Sequence, residues 1–310
     1  VKLLQGDIRN EEFLRQSCQG VGLVIHTAAI IDTVGKITRE TLMAINVTGK
    51  EGQRTCWMPC VQGNVCYCIY TSSVEVILCL VYNSKLSFNY GQSKRLAEQR
   101  VLNANGRALK DGGTLFTCAL RSMYIYGEGS QFLGAQLDQA IMNGGIFHRR
   151  SKKESLVNPV YVGNIAWAHV VAAQAMVDPG KAKKIAGNFY FISDDTPHLS
   201  YSDLNHTLGK EIGLGVQENL VLPFPVLYFL AFLLEGISFL LKPFVRFIPP
   251  FTRHLLLLLN TPFTFSYSKA QRDMGYKPRV SWEESKERTS EWMASQLLMR
   301  KEHLRKNKQC

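Results

Sequence analysis

The strongest constraint on the fold is an alternation between short apolar runs and helix-forming segments over residues 1–127. The main apolar runs are GLVIHTAAI, NVCYCIYTSS and GTLFTCALRSMYIYG, which begin at Gly22, Asn64 and Gly113. The first of these is continuously apolar, which is typical of a strand buried on both faces of a parallel sheet. Because helix-forming segments lie between the runs, the sequence predicts an α/β fold with a doubly wound parallel sheet.

Signals for helix ends support this alternation. Asn10 can cap a helix over NEEFLRQSCQG, and the segment from Tyr90 to Gly106 has the composition of a helix that stops at a glycine. One segment departs from the pattern: residues 50–64 lack apolar periodicity, and Pro59 predicts a break in any helix there.

Small and polar residues gather where the predicted strands end. Asp7 follows the short apolar run VKLL, and the segments HTAA (26–29), TSS (71–73) and RSMYIYG (121–127) close the longer runs. The carboxyl ends of parallel strands share one edge of a doubly wound sheet, and ligands bind in the crevice there. We therefore expect these segments to line a common crevice.

Tyr90 and Lys94 are four residues apart on a predicted helix, so they share one helix face. An ammonium near a phenol favours the phenolate, and we expect Lys94 to lower the pKa of Tyr90 from its reference value of about 10. Such a tyrosine can take a proton from a substrate hydroxyl while a hydride moves to a nicotinamide, with Ser73 holding the oxygen. The alternative is a chance pair on an exposed helix, because the chain has 12 tyrosines and the motif is short.

The net charge and the cysteine pattern indicate which classes of partner and metal site to expect. The formal net charge is +11, with basic clusters in HRRSKK (148–153) and in the tail from Met299. Neither cluster alternates with aromatic residues, and no zinc-finger or helix-turn-helix pattern occurs, so we expect no nucleic-acid partner. An anionic membrane surface suits such clusters better. The eight cysteines form no C-x-x-C pair, which predicts reduced, mostly buried thiols and no metal site.

The segment LVLPFPVLYFLAFLLEGISFLL (220–241) is 22 residues long and holds one charged residue, Glu235. This length is sufficient to cross a bilayer. However, Pro223, Pro225 and the charge disfavour a simple spanning helix, so an interfacial position and a cover over an apolar substrate pocket remain as alternatives. We expect residues 220–260 to be an apolar, membrane-associated segment.

Several motifs occur in a fixed order along the chain. HTAAIID, NVTG, YTSSVEV, Tyr-x-x-x-Lys, CALRSMYIYGEGS and NPVYVGNIAWAH lie in the order found in extended short-chain dehydrogenases. FISDDTPH, TFSYSKAQRDMGYKP and SWEESKERT narrow the resemblance to the vertebrate 3β-hydroxysteroid dehydrogenase/Δ5-Δ4 isomerases. The resemblance covers almost the whole chain. It implies an enzyme that oxidises a steroid 3β-hydroxyl with NAD and then moves the adjacent double bond into conjugation with the new ketone.

The resemblance also assigns catalytic residues. It implies that Tyr90, Lys94 and Ser73 carry the oxidation, and that Lys94 also reaches the cofactor ribose. Tyr190 and Asp194 match the family's proposed isomerase acid and base. The alternative is that the tyrosine is an ordinary strand residue and that the aspartate builds a turn before Thr-Pro.

Further cofactor contacts are implied at two strand ends. Asp7 and Ile8 match the family's adenine contact, and Thr27, Ala28 and Ala29 lie where small side chains let NAD approach. The alternative for the alanines is that they permit tight packing of a helix on the sheet. Both explanations can hold together.

Three features depart from the family pattern. No G-x-x-G-x-x-G or G-x-G-x-x-G turn occurs, so we expect the first strand, its helix and the second strand to be absent, which leaves an open sheet edge. Residues 50–64 lack helical periodicity, as noted above. The stretch from Ser73 to Tyr90 is shorter and more apolar than its counterpart, and Ser122 replaces a proline beside the nicotinamide.

These departures keep two other hypotheses open. One is a non-catalytic relative that binds membrane, steroid or an intact partner subunit. The other is a sugar-nucleotide epimerase or reductase, which shares the Tyr–Lys chemistry but explains neither the apolar segment nor FISDDTPH.

The predicted organisation has four parts: a truncated dinucleotide-binding domain (1–125, rejoined by 156–175), a substrate-binding region (126–155 and 176–219), the apolar segment (220–260) and a helical region with a basic tail (261–310). The resemblance implies a steroid substrate and contact with lipid of the endoplasmic reticulum or mitochondrial membrane, with the catalytic domain facing the cytosol. It leaves homodimer formation open.

Overall fold

A computed structural model describes the chain over residues 1–32, 36–48, 57–77, 89–220, 222–245 and 247–307. The chain divides into two compact units. Unit 1 comprises Val1–Ser122, Trp167–Ile192 and Ser266–Lys277. Unit 2 comprises Met123–Ala166, Ser193–Phe265 and the residues from Pro278 onward.

The described strands, in chain order, are β1 (Leu23–His26), β2 (Tyr67–Ser73), β3 (Phe116–Ser122), β4 (Ile125–Tyr126), β5 (Ile146–Phe147), β6 (Val160–Tyr161), β7 (Phe189–Ile192) and β8 (Gly215–Val216). The α-helices are α1 (Glu11–Ser17), α2 (Arg39–Met43), α3 (Met58–Gln62), α4 (Asn89–Leu102), α5 (Gln131–Met142), α6 (Val162–Val177), α7 (Pro179–Ile185), α8 (Tyr201–Gly209), α9 (Phe224–Leu241), α10 (Arg253–Asn260), α11 (Ser268–Met274) and α12 (Trp282–Asn307). A π-helix, Ala44–Thr48, continues α2, and a short 3-10 helix, Lys210–Ile212, continues α8.

Unit 1 is built on a parallel sheet in the order β1-β2-β3-β7. Its two faces are covered by different helices. On one face, Tyr70 and Ala119 pack with Ala97 and Val101 of α4. Residues of the opposite face contact α6: the Cys118 thiol lies 3.4 Å from the sulfur of Met176. The predicted doubly wound α/β sheet is therefore confirmed.

β1 forms one edge of this sheet, because β2 is its neighbour on one side and no described strand lies on the other. It is shorter than the apolar run that predicted it, and Ile25 is 40% exposed. The prediction of a strand buried on both faces is therefore wrong for β1. The run VKLL forms no strand either, and Leu3 is 91% exposed. Since no described segment pairs with VKLL, Asp7 does not follow a strand.

The predicted N-cap of α1 is present in the structure, whereas the helix that carries Tyr90 ends earlier than predicted. Asn10 caps α1 by accepting a hydrogen bond from the Phe13 N–H. α4 ends at Leu102 and a turn follows, with Gly106 at a φ of 81°. Pro59 lies in the first turn of α3, where its missing N–H has no helical partner to lose. Residues 50–56 of the irregular segment lie outside the described residues.

Unit 2 has a helical core with two small parallel sheets, β4-β6 and β5-β8. The core packs side chains from α5, α8 and α12 around the short strands. Its fully or almost fully buried members are Tyr126, Leu133, Leu137, Ala140, Phe147, Tyr161, Leu204, Leu208, Leu214 and Met293. α12 contributes Met293 to this core.

The boundaries of the two units differ from the predicted domain boundaries. Residues 176–192 and 266–277 belong to unit 1, because they carry β7 and helices that pack on the sheet. Residues 156–166 belong to unit 2. The apolar segment forms α9 and α10 of unit 2, and α9 is the described helix that is long and apolar enough to cross a membrane.

The five cysteines that are described are free thiols, and four of them are buried.

Candidate active site

Ser73 and Tyr90 lie together at the carboxyl edge of the sheet. Ser73 is the last residue of β2, in register with Ser122 at the end of β3, and Tyr90 is in the first turn of α4. The two hydroxyls interact: a hydrogen bond with Ser73 lowers the pKa of the Tyr90 phenol, although other causes outweigh it. The segment between them, 78–88, lies outside the described residues.

Lys94 is held by β2. The side chain is 3% exposed, its ammonium donates to the Thr71 carbonyl at 2.5 Å, and it lies 4.4 Å from the centre of the Tyr70 ring. These contacts fix the lysine one helical turn after Tyr90 at the end of the strand that carries Ser73. The structure therefore brings the three predicted catalytic residues to one place.

The expected effect of Lys94 on Tyr90 needs correction. Burial raises the pKa of the Tyr90 phenol, and the nearby Glu75 carboxylate raises it further. The phenol is only 6% exposed, so its ionised form loses most of its hydration. In this structure Tyr90 is a neutral phenol at neutral pH, rather than a tyrosine whose pKa the lysine has lowered.

Asn46 is a structural residue of the site that the sequence analysis missed. It lies in the π-helix and is buried; its amide donates to the Ile30 carbonyl and the Ser93 hydroxyl, each at 3.0 Å, and accepts from the Ile30 N–H. Ser93 in turn donates to the Tyr90 carbonyl at 2.7 Å. Asn46 thus ties the loop after β1 to the first turn of α4. The NVTG motif contained this residue, but nothing in its spacing predicted a π-helix.

A buried ion pair anchors α4 to β3. The Arg121 guanidinium donates two hydrogen bonds to the Glu98 carboxylate, at 2.9 and 2.6 Å, and lies 3.5 Å from the centre of the Phe189 ring. Both charged side chains are at most 10% exposed. On the other face of the sheet, His169 shares a 2.7 Å hydrogen bond with the Thr71 hydroxyl. These contacts hold the strand ends that carry the site.

The predicted cofactor residues lie largely around one open cleft in unit 1. Asp7, Ile8, Ala28 and Ala29 line this cleft, whose volume is about 620 Å³, whereas Thr27 is exposed and is not among the described residues that line it. The remaining lining is Gln5, Gly6, Ile30 and Ile45.

The lining of this cleft is suited to one part of NAD. Its small side chains, Gly6, Ala28 and Ala29, leave room for a flat ring, and the Asp7 carboxylate can accept hydrogen bonds. In this structure that carboxylate accepts from the Arg9 guanidinium at 2.6 Å. The described lining therefore fits the adenosine half of a dinucleotide. It includes no cation for the pyrophosphate, and the sequence has no glycine-rich turn for it.

Tyr190 is a fully buried residue of β7. Its hydroxyl donates to the Asp273 carboxylate at 3.3 Å, and the Lys269 ammonium lies 4.6 Å from its ring centre. Burial raises the pKa of this phenol, and the Asp273 charge adds to the effect. These contacts match the alternative of an ordinary strand residue.

Asp194 is likewise engaged within unit 2. One carboxylate oxygen accepts from the Tyr161 N–H and the Asn164 amide, both at 2.8 Å, and the other accepts from the Thr196 N–H at 3.1 Å. The residue is 6% exposed. The last bond forms the turn that the sequence alternative expects, so this carboxylate is a turn-building group in the described conformation.

The comparisons with known proteins identify the family and the fold of the chain. The model of the 3-beta hydroxysteroid dehydrogenase/isomerase family matches residues 1–224. Among solved structures, an epimerase from Methanothermobacter thermautotrophicus superposes with a TM-score of 0.66 at 17% identity, covering 96% of this chain and 80% of that one.

Two further solved structures carry NAD. UDP-glucuronic acid 4-epimerase from Bacillus cereus, in complex with NAD, has a TM-score of 0.63 at 18% identity. The aligned residues cover 95% of this chain and 81% of the epimerase chain. A dTDP-glucose 4,6-dehydratase from Streptomyces venezuelae, with NAD bound, has a TM-score of 0.62 at 18% identity. The aligned residues cover 94% of this chain and 78% of the dehydratase chain. At these identities the similarity concerns the fold.

Proposed function

We propose that this chain, which belongs to the 3-beta hydroxysteroid dehydrogenase/isomerase family, is an NAD-dependent oxidoreductase that oxidises a secondary alcohol. The observation that carries the proposal is the convergence of Ser73, Tyr90 and Lys94 at the carboxyl edge of a parallel sheet. A chance Tyr-x-x-x-Lys pair on an exposed helix would not bury both side chains beside the end of β2.

The three side chains have distinct tasks. The phenolate form of Tyr90, whose own proton has passed to solvent, takes the proton of the substrate hydroxyl, and Ser73 donates a hydrogen bond to the same oxygen. Bound NAD supplies the hydride acceptor. Because burial and Glu75 hold the Tyr90 phenol neutral, the proton can leave only once a positive charge close to the phenol offsets the loss of hydration. Lys94, one helical turn away, would supply part of this charge when substrate and NAD are bound, because in the described conformation it does not lower the pKa of the phenol.

We further propose that the substrate is a 3β-hydroxy-Δ5-steroid. The family match supports this choice, and so does the C-terminal set of motifs, which lies outside the motifs shared with sugar-nucleotide enzymes. The isomerisation step that the resemblance implies stays outside the proposal. The Tyr190 hydroxyl donates to Asp273, and both Asp194 carboxylate oxygens accept hydrogen bonds within unit 2, so the described contacts occupy the groups that the isomerisation would use.

We place the reaction at a membrane, as the resemblance implies for the endoplasmic reticulum and mitochondrion, with the catalytic residues on the cytosolic side. A lipophilic substrate and the apolar helix α9 support this location.

A sugar-nucleotide epimerase or dehydratase is the second candidate. The observation that favours it is that the similar solved structures reported above include enzymes of this class with NAD bound. The Tyr–Lys chemistry is the same in both candidates, and only the substrate differs.

The test is a turnover assay on the full chain in detergent. The chain is mixed with NAD and either a 3β-hydroxy-Δ5-steroid or a UDP-sugar, and the products are identified by mass spectrometry, with Tyr90→Phe as the control. A 3-ketosteroid that is absent in the control supports the proposal. Conversion of the UDP-sugar alone moves the assignment to the second candidate. No conversion of either substrate by a folded chain contradicts both.

A further inference from the structure

Helix α9 has two unlike faces. Its inward positions include Ala231, which is fully buried, and Ser238, whose hydroxyl donates to the Phe247 carbonyl at 2.7 Å. Its outward positions are apolar, spaced three or four residues apart, and each at least 42% exposed: Val226, Phe229, Leu233, Ile237 and Leu240. We call these five residues the outward face. Soluble surfaces rarely expose such a contiguous apolar stripe.

The chain returns alongside α9 as a hairpin. Arg253, the first residue of α10, binds the Glu235 carboxylate through its backbone N–H at 2.7 Å and its guanidinium at 2.8 Å. At the other end of α10, Asn260 accepts from the Lys152 N–H at 2.9 Å. The Lys152 ammonium lies 4.5 Å from the ring centre of Phe224, the first residue of α9. Both ends of segment 224–260 therefore meet at the same loop.

Helix lengths agree with this hairpin. The stretch from Phe224 to Glu235 rises about 16 Å and the eight residues of α10 rise about 12 Å, so α10 runs antiparallel along the first part of α9. If α9 crossed a bilayer, the Glu235–Arg253 pair and α10 would lie at membrane depth as well. A charged residue at the centre of a bilayer costs a few kcal/mol in the helix-insertion scale. That geometry is therefore disfavoured.

We infer that α9 does not cross the membrane but lies in one leaflet, with the outward face among the acyl chains and α10 on the protein side. Lys242, which is exposed directly after α9, then contacts the phosphates of anionic lipids, in keeping with the chain's net charge of +11. This inference rests on the membrane association proposed above, but it is independent of the reaction catalysed.

The first experiment measures binding of the full chain to vesicles of phosphatidylcholine, with and without phosphatidylserine, by flotation. Phe229→Ser combined with Leu233→Ser should weaken partitioning about tenfold to a hundredfold, because two inserted side chains lose their apolar burial. The matched control is Met142→Ser with Leu298→Ser, which removes two apolar side chains of unit 2 that are 61% and 70% exposed elsewhere. The control should bind as the unaltered chain does, and phosphatidylserine should strengthen binding at low salt.

Two results would overturn the inference at this stage. Equal loss of binding in both double variants would show that the outward face is not the inserted surface. Unchanged vesicle binding, together with loss of a dimer in the outward-face variant, would show that a second copy covers this face instead.

The second experiment decides between one leaflet and a full crossing. A membrane-impermeant amine reagent is either added outside sealed vesicles carrying the chain or trapped inside them, and labelling of Lys242 is read by mass spectrometry, with Lys242→Arg to identify the peptide. Labelling only from outside is expected. Labelling from inside would establish a crossing, and no labelling from either side would remove Lys242 from the headgroup layer. Failure to bind vesicles at all would instead refute membrane association itself.

Discussion

Helices α4 and α9 invert the usual distribution of polar and apolar side chains. α4 buries Ser93, Lys94 and Glu98, none of them more than 3% exposed, whereas α9 leaves Phe239 77% exposed and Leu240 71% exposed. The buried polar groups of α4 each have a defined partner: a carbonyl, an amide or an opposite charge. The apolar groups of the outward face of α9 are each at least 42% exposed. This difference is the one that a proposed active site on α4 and a proposed lipid contact of α9 would require.

The two helices also differ in what a Glu–Arg pair does. The Glu98–Arg121 pair of α4 is at most 10% exposed, whereas the Glu235–Arg253 pair of α9 and α10 is 24–26% exposed. The first fixes a helix to a strand next to the candidate active site. The second fixes the return of a hairpin. The predictions below test whether these differences in burial have the energetic and functional consequences that we assign to them.

The largest effect is expected at Tyr90. Replacing it with phenylalanine keeps the buried ring and removes the hydroxyl that exchanges a proton, so turnover should fall about a hundredfold to ten-thousandfold. The melting temperature should change little. Steady-state kinetics and thermal unfolding measured together check this, and a Tyr90→Phe chain that keeps its turnover would remove Tyr90 from the chemistry.

Glu98→Ala should cost the most stability. It leaves the Arg121 guanidinium buried without its carboxylate, which typically costs about 3–5 kcal/mol in free energy of unfolding. Chemical denaturation measures the loss. The control is Glu284→Ala in α12, which breaks an exposed i,i+4 pair with Arg288 and should cost about 0.5 kcal/mol or less. Similar losses in the two variants would mean that the α4 pair is not buried in solution.

The pH dependence of oxidation should follow the pKa of Tyr90. Since burial and the Glu75 charge raise this pKa, the rate should increase as the pH rises from neutral into the alkaline range, where the phenol ionises. Glu75→Gln removes the negative charge and lowers the pKa, so the rising part of the profile should move to lower pH. A profile that moves to higher pH in this variant would contradict the assignment.

The smallest effect is expected at Glu235. Its alanine variant loses two hydrogen bonds to Arg253 in a partly exposed setting, which should cost about 1 kcal/mol. Denaturation in detergent tests this, with Glu98→Ala as the reference. If the two variants cost the same, the α9–α10 hairpin is as enclosed as the sheet, and the contrast between the two helices fails.

Local sequence signals predicted the elements that depend on local interactions. The cap at Asn10, the strand that ends at Ser73 and the helix carrying Tyr90 and Lys94 all follow from short-range chemistry. β1 was expected to be buried on both faces because its residues are apolar. Its exposure depends on which strands lie beside it and on which helices cover its two faces, and one stretch of sequence does not contain that information.

Residue roles were harder to predict than residue positions. The Tyr-x-x-x-Lys spacing places Lys94 near Tyr90, but it could not show that the ammonium bonds to the Thr71 carbonyl or that Glu75 lies close enough to raise the phenol's pKa. Similarly, the motif around Asp194 gives no sign of the three hydrogen bonds that engage its carboxylate. Electrostatic effects arise from contacts that are distant in sequence, so they appear only in the folded chain.

The central claim is that the crevice at the carboxyl edge of the sheet binds NAD. Isothermal calorimetry of the full chain in detergent tests it most directly, with Lys94→Ala as the matched variant and circular dichroism to confirm that both are folded. We predict binding with a Kd of about 1 mM or tighter, lost or much weakened in the variant. No binding by a folded, unaltered chain would contradict the account and leave the chain as a non-catalytic member of its family.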